Sequence, residues 1–164
     1  MSIGAGPDAV FVRRDEAEQL EVAGNILWLL ADSSATGGGM SVVSTRLKPG
    51  GTGANPHHHT RSSEPSASSA AASTSSPVSA SCRQAPATLA VAPAGLTRGF
   101  VPAGDEQPEM LIVLAPAVAR FGYFRLLKQV TEGNSTFAEV LANQELYDNR
   151  FEQSAVWEAH RSRR

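Results

Sequence analysis

The chain has 164 residues, 41% hydrophobic and 18% charged, with a formal net charge of −2 at pH 7. That length suits one domain with a real core, and the lack of a basic block argues against nucleic acid or an anionic membrane as main partner. The single cysteine, Cys82, rules out an internal disulfide. No apolar run approaches the roughly 20 residues of a membrane span. The opening MSIGAGPDAV lacks the charged start and apolar stretch of a signal peptide, so a cytoplasmic protein is expected.

Residues 9–13 (AVFVR) read as a short strand. In 20–30 (LEVAGNILWLL) two apolar runs flank Gly24 and Asn25, a turn pair. Residues 31–39 form a Gly-rich loop. Residues 40–51 alternate: Met40 and Val42, then Val43, Thr45 and Leu47, ending at Pro49-Gly50-Gly51. Short strands parted by Gly-rich turns predict an all-β barrel or sandwich, to which 89–100 and 110–114 add further strands. The period then changes. Phe121, Phe124 and Leu127, with Leu126 and Val130, recur at helical spacing up to Gly133, and their aromatics are expected to pack as core. Thr136 and Glu139 make a capping-box pattern that opens a second helix to about Leu146. Trp157 and the terminal HRSRR are expected to fray.

The chemistry-bearing stretch is Gly51 to Glu64, GTGANPHHHTRSSE. On an extended strand residues i and i+2 point the same way, so His57 and His59 can aim at one point while His58 faces away. Glu64 can return a carboxylate to that point after a short bend. Two histidines and a carboxylate with open positions suit iron(II), and manganese or zinc less distinctively.

Here the chain resembles the cupin family. Its first motif, G-x5-H-x-H-x(3–4)-E-x6-G, is matched by Gly51, His57, His59 and Glu64. Its second, G-x5-P-x-G-x2-H-x3-N, is matched by Pro93 and Gly95, while Arg98 stands in place of the fourth ligand and Pro102 in place of the asparagine. The resemblance covers about 40–64 and 87–115; the tail, with RFGYFRLL and ELYD, looks like the helical extension of small quercetin-dioxygenase-like bacterial cupins. It implies a mainly β jelly-roll barrel over 1–118, C-terminal helices over 119–164, and a divalent metal inside the barrel. With Arg98 replacing a ligand, three donors remain.

Between the motifs the family has two strands and a Gly turn. This chain has PSASSAAASTSSP, composed only of Pro, Ser, Ala and Thr, too poor in apolar surface for a barrel wall. Residues 65–86 are therefore expected to be irregular. Pro, Ala, Thr and most Ser codons share cytosine at the second position, as a GC-rich gene read out of frame would give. With G or C at third positions, one shifted reading of Ser66 to Pro77 is Val-Arg-Val-Leu-Gly-Gly-Arg-Val-Asp-Val-Leu-Ala, a strand, a Gly-Gly turn and a strand. The Ala71 and Ala87 positions then permit the two glycines that the motifs lack. Two compensating frameshifts, near 64–65 and 88–89, are the reading; a natural low-complexity insertion is the alternative.

Three functional classes follow. One is a metal-dependent, dioxygenase-like oxidoreductase acting on a small organic substrate, with His57, His59 and Glu64 as ligands to Fe, Mn or Zn. Another is a non-catalytic cupin that binds a small molecule, with Arg98 pairing an anionic group on it. The third is an inactive cupin damaged by frameshift. The resemblance also implies a small-molecule ligand as partner and a homodimer as an available assembly, with neither nucleic acid nor membrane.

Overall fold

A computed structural model describes residues 9–68, 73–77, 82–84 and 86–161 of the chain. Its first element is a hairpin. Strand β1 (Glu18–Val22) pairs antiparallel with β2 (Asn25–Ala31), Val22 facing Asn25. The turn is Ala23-Gly24 with φ of 50° and 80°, the doubly left-handed turn whose twist matches a hairpin and which favours glycine. Asn25 is thus the first strand residue, and its side chain accepts from the Lys48 backbone N–H at 2.9 Å. The strand expected over 9–13 is absent. Those residues are exposed, and pairing begins only at Glu18.

Strand β3 (Ser41–Arg46) follows the loop, and Val43, Thr45 and Leu47 point inward as their alternation required, while Met40 is exposed. Next come β4 (Ala54–His58), β5 (Glu64–Ser68), β6 (Ser73–Pro77), β7 (Cys82–Gln84), β8 (Leu89–Ala92), β9 (Arg98–Pro102) and β10 (Glu109–Leu114). The stretch expected as strand over 89–100 is two strands, broken by a turn at Pro93–Leu96 in which Gly95 takes φ 82°, where a side chain would strain the backbone. A six-stranded sheet has the order β1-β2-β3-β10-β5-β8. A five-stranded sheet runs β11-β4-β9-β6-β7, with β11 (Arg150–Phe151) coming from the C-terminal extension.

The Ser/Ala stretch corrects an expectation. Its described parts are not irregular. Strand β5 pairs with β10 and β8, and β6 pairs with β9 and β7. Residues 69–72, 78–81 and 85, including the turn expected at Ala71, lie outside the described residues. Backbone ladders form without apolar side chains because every residue but proline brings its own donor and acceptor. Ala87 adopts φ 61°, the left-handed region where glycine is favoured, at the position where the second motif begins.

The core is Leu20, Leu27, Leu29, Val43, Leu47, Phe100, Met110, Ile112, Leu114 and Val118. Helix α1 (Arg120–Thr131) lays Phe121 and Phe124 against it. Asp32 Oδ1 accepts the Arg120 backbone N–H at 3.0 Å, which satisfies one of the free amides at the helix start. Gly133, φ 76°, follows its end. Helix α2 (Phe137–Ala142) is capped as its pattern predicts, Thr136 Oγ1 accepting from the Glu139 backbone N–H, but ends short of Leu146 in turns. Trp157 does not fray. It is 2% exposed on α3 (Ala155–Arg161) and covers Gly99, where a Cβ would come within 3.0 Å of its ring. That flat contact lets β9 be buried along its whole length. Residues 162–164 of the expected frayed end lie outside the described residues.

Candidate metal centre and cavity

Three donors converge where the two sheets meet. His57 lies on β4, His59 follows it, and Glu64 opens β5 on the opposite sheet; all three are at most 5% exposed. One ligand atom from each lies within 4.8 Å of the others. His58 is turned outward as period two requires, 3.1 Å from Glu152. Arg98 enters because β9 pairs with β4 in a register that sets it directly opposite His57. The turn glycine of the second motif fixes the first motif as well, Gly95 N–H donating to His59 O at 2.7 Å.

The imidazoles are oriented by backbone carbonyls. His57 Nδ1 lies 2.7 Å from Asn55 O, and His59 Nδ1 contacts Asp148 O. A carbonyl only accepts, so both Nδ1 atoms carry the proton. In the neutral rings Nε2 then presents a lone pair. Burial, followed by the charge of Arg98, holds the His57 pKa down to about 3. Burial is also the leading cause that lowers His59. Yet His59 Nε2 stands 3.1 Å from Glu64 Oε2. Burial alone would raise the Glu64 pKa, but the contact with His59 and the charge of Arg98 outweigh it, and the group stays an anion. A lone pair facing a carboxylate at that distance calls for a cation between them, and the donor set therefore fits a divalent metal. Arg98 is the competing cation. Its Nε donates to Glu64 Oε1 at 2.8 Å and its Nη2 is in ion-pair contact with Oε2.

Several residues that shape this centre carry no sequence signal at its position. Asp148, 2% exposed with φ 49°, accepts from Thr60 N–H at 2.8 Å, Thr60 Oγ1 at 2.6 Å, Arg61 N–H at 3.1 Å and Ser62 N–H at 3.0 Å. These bonds outweigh burial and hold its pKa near 2. The carboxylate thus staples the bend between His59 and Glu64 while the Asp148 carbonyl orients His59. Of the ELYD stretch, Asp148 is the residue that reaches the bend between His59 and Glu64.

A cavity of about 250 Å³ opens from His57 and Glu64 into the barrel. Leu27, Val43, Phe100 and Ile112 form its walls, and α1 covers it with Arg120, Tyr123, Phe124 and Leu127. It has room for one small ring or short chain in a mostly apolar chamber with a few convergent polar groups. Arg98 and His59 do not line it; Arg98 is turned toward Glu64.

No protein-family model matches the sequence, and comparison with curated proteins gives no significant match. Solved structures do match. The chain superposes on KdgF from Halomonas sp. with a TM-score of 0.56 at 20% identity, covering 65% of this chain and 94% of that one. A conserved protein from Klebsiella pneumoniae with a double-stranded β-helix domain gives 0.56 at 17% identity, over 68% and 94%. A nucleoside dehydratase from Streptomyces gives 0.54 at 17% identity, over 67% and 84%. The fold is the cupin jelly roll. No helix among the described residues is long and apolar enough to cross a membrane.

Proposed function

We propose that this chain is a cupin-type enzyme acting on a small organic molecule held in the barrel cavity, with His57, His59 and Glu64 holding a divalent metal. The observation that carries this reading is the convergence of His57, His59 and Glu64, with His59 Nε2 3.1 Å from Glu64 Oε2, beside the cavity. Iron(II), manganese and zinc all suit two imidazoles and a carboxylate. When bound, such an ion supplies Lewis acidity, and iron(II) adds the O2 chemistry of the dioxygenase reading. The chain's own residues do the rest. Asp148 and the carbonyl of Asn55 set the two rings, the apolar walls exclude water from the reacting face, and Tyr123 contributes an aromatic ring to the lining. A cupin-fold protein described as a nucleoside dehydratase supports a small-molecule enzyme as the class.

Metal analysis of the purified protein, reconstituted in turn with Fe(II), Mn(II) and Zn(II), tests the proposal. One equivalent should bind, more weakly than in a four-ligand site because Arg98 shares Glu64. His59→Ala should lose it. Stoichiometric metal in His59→Ala places the ion elsewhere and overturns the assignment. A second reading is favoured by the Arg98–Glu64 pair: the guanidinium neutralises the carboxylate itself, and the barrel is a metal-free binding chamber. A folded wild-type protein that takes up none of the three ions selects that reading.

A further inference from the structure

The buried charges around the cavity balance in number, two carboxylates against two guanidiniums, but not in contact. Glu64 is paired with Arg98, and Asp148 is satisfied by the 60–62 bend. Arg120 remains. It is 3% exposed, lines the cavity, and has no carboxylate within ion-pair distance among the described residues. Two of its nitrogens are held by neutral acceptors, Nη1 by Tyr147 O at 3.1 Å and Nη2 by Asn149 Oδ1 at 2.8 Å. Its guanidinium carbon lies 4.1 Å from the centre of the Tyr123 ring. Among the described residues the Nε–H has no acceptor, and neither does Nδ2 of Asn149, itself 1% exposed. Glu64 and Asp148 favour its charge only from a distance, and a buried cation with no carboxylate in contact and an unused donor is costly unless something arrives to pair with it. A guanidinium fixed at two nitrogens and stacked on an aromatic face has already lost its rotamer freedom, so little entropy is lost when an anion docks.

We propose that Arg120 is the anion-recognition residue of the cavity, and that the ligand is a small carboxylate with an apolar body. The carboxylate docks on the Arg120 guanidinium and its unused Nε–H, and the hydrocarbon part lies along Leu27, Phe100, Ile112 and Phe124. The planar fork of arginine matches a carboxylate in geometry, and a chamber of about 250 Å³ with mainly apolar walls admits one small ring beside it. The inference rests on reading the cavity as the ligand chamber, and it holds with or without a metal.

The test uses benzoate as probe and benzamide as its neutral isostere, with chelator-treated protein so that no metal can take the carboxylate. Calorimetry should show benzoate binding at least 10-fold tighter than benzamide. Arg120→Met should abolish that preference, while Arg120→Lys, which keeps the charge without the fork, should retain part of it. Equal affinity for the two probes, binding of neither, or an unchanged preference in Arg120→Met overturns the proposal. If Arg120→Met does not fold, Arg120→Lys decides: an undiminished preference there overturns it. Because the metal is absent throughout, failure here is separate from failure of the His57–His59–Glu64 assignment. A protein that binds metal but not benzoate loses only this inference.

Discussion

Asp148 shows how much a single side chain far along the chain contributes to the centre. Removing its carboxylate strands the N–H of buried Ser62, at roughly 1–3 kcal/mol for an unsatisfied buried donor, while the N–H groups of exposed Thr60 and Arg61 lose an acceptor that water can replace. Alanine would also have to hold the left-handed φ of 49°, which disfavours residues other than Gly, Asn and Asp. Asp148→Ala should therefore lower stability by about 3 kcal/mol, read as an earlier denaturation midpoint, and should reduce metal uptake because His59 loses its orientation. Asp148→Asn keeps an acceptor oxygen and tolerates that φ, so it should fall between the two. Unchanged metal uptake in folded Asp148→Ala would show that the bend holds His59 without the carboxylate. The three donors His57, His59 and Glu64 were legible in the sequence because two sit at strand spacing and the third follows within one bend. Asp148 and Arg120 were not. An aspartate in a turn and an arginine on an amphipathic helix normally face water, and only the return of the chain as β11 brings Tyr147 to Asn149 against the site.

Among the elements, the segment just before β1 is held by a side chain, next to the stretch where a strand was expected. Arg14 places its guanidinium 3.6 Å from the centre of the Trp28 ring and donates to Glu109 on β10, with Nη2 to Oε2 at 3.1 Å. Arg46 reaches the same carboxylate at 3.2 Å. The alternation in AVFVR has strand character but no facing edge, and exposed apolar residues alone do not make a ladder. Periodicity reports which faces could be buried, not whether a partner exists; the same limit hid the burial of Trp157, since nothing in β9 announces a flat bed at Gly99. The hydrogen bond from Arg14, then that from Arg46, lowers the Glu109 pKa despite partial burial. A carboxylate whose folded pKa is depressed contributes stability above its unfolded pKa and loses it as pH falls through the folded value. Wild type should thus be more stable than Glu109→Gln near pH 7 by roughly 0.5–1 kcal/mol, as befits a partly exposed ion pair. The gap should narrow as pH falls below the ordinary glutamate range and close once the wild-type carboxyl takes up its proton. Urea denaturation of both proteins from neutral pH downward measures it, and a gap that does not shrink with acidification would show that shape, not charge, holds the segment.

At the scale of the whole molecule, the Ser/Ala stretch separates two things that a barrel wall must supply. Its backbone keeps the path, since β5 and β6 pair on both sides with their neighbours in register. Its side chains supply almost no apolar area, and burial of a Val or Leu contributes about 1.5–3 kcal/mol that Ser and Ala cannot. Ala87 adds an independent sign: it carries φ 61° where the shifted frame permits a glycine. A segment whose ladder survives and whose inward side chains and turn glycine are missing is what two compensating frameshifts would leave. Exchanging 65–88 for the frame-restored segment should therefore raise stability by several kcal/mol, or the melting temperature by roughly 10 °C or more, and reduce aggregation at exposed strand edges. Metal uptake in that repaired chain should still be limited by Arg98, whose guanidinium engages Glu64. Adding Arg98→His should then tighten metal binding with a smaller change in stability, since it alters one contact inside a wall already complete. The order of the two changes is diagnostic. Arg98→His made alone cannot supply the missing apolar area, so it should leave melting low. A fully metallated and stable Arg98→His variant of the unrepaired chain would show that the Ser/Ala segment is a tolerated insertion and that the frameshift account is wrong.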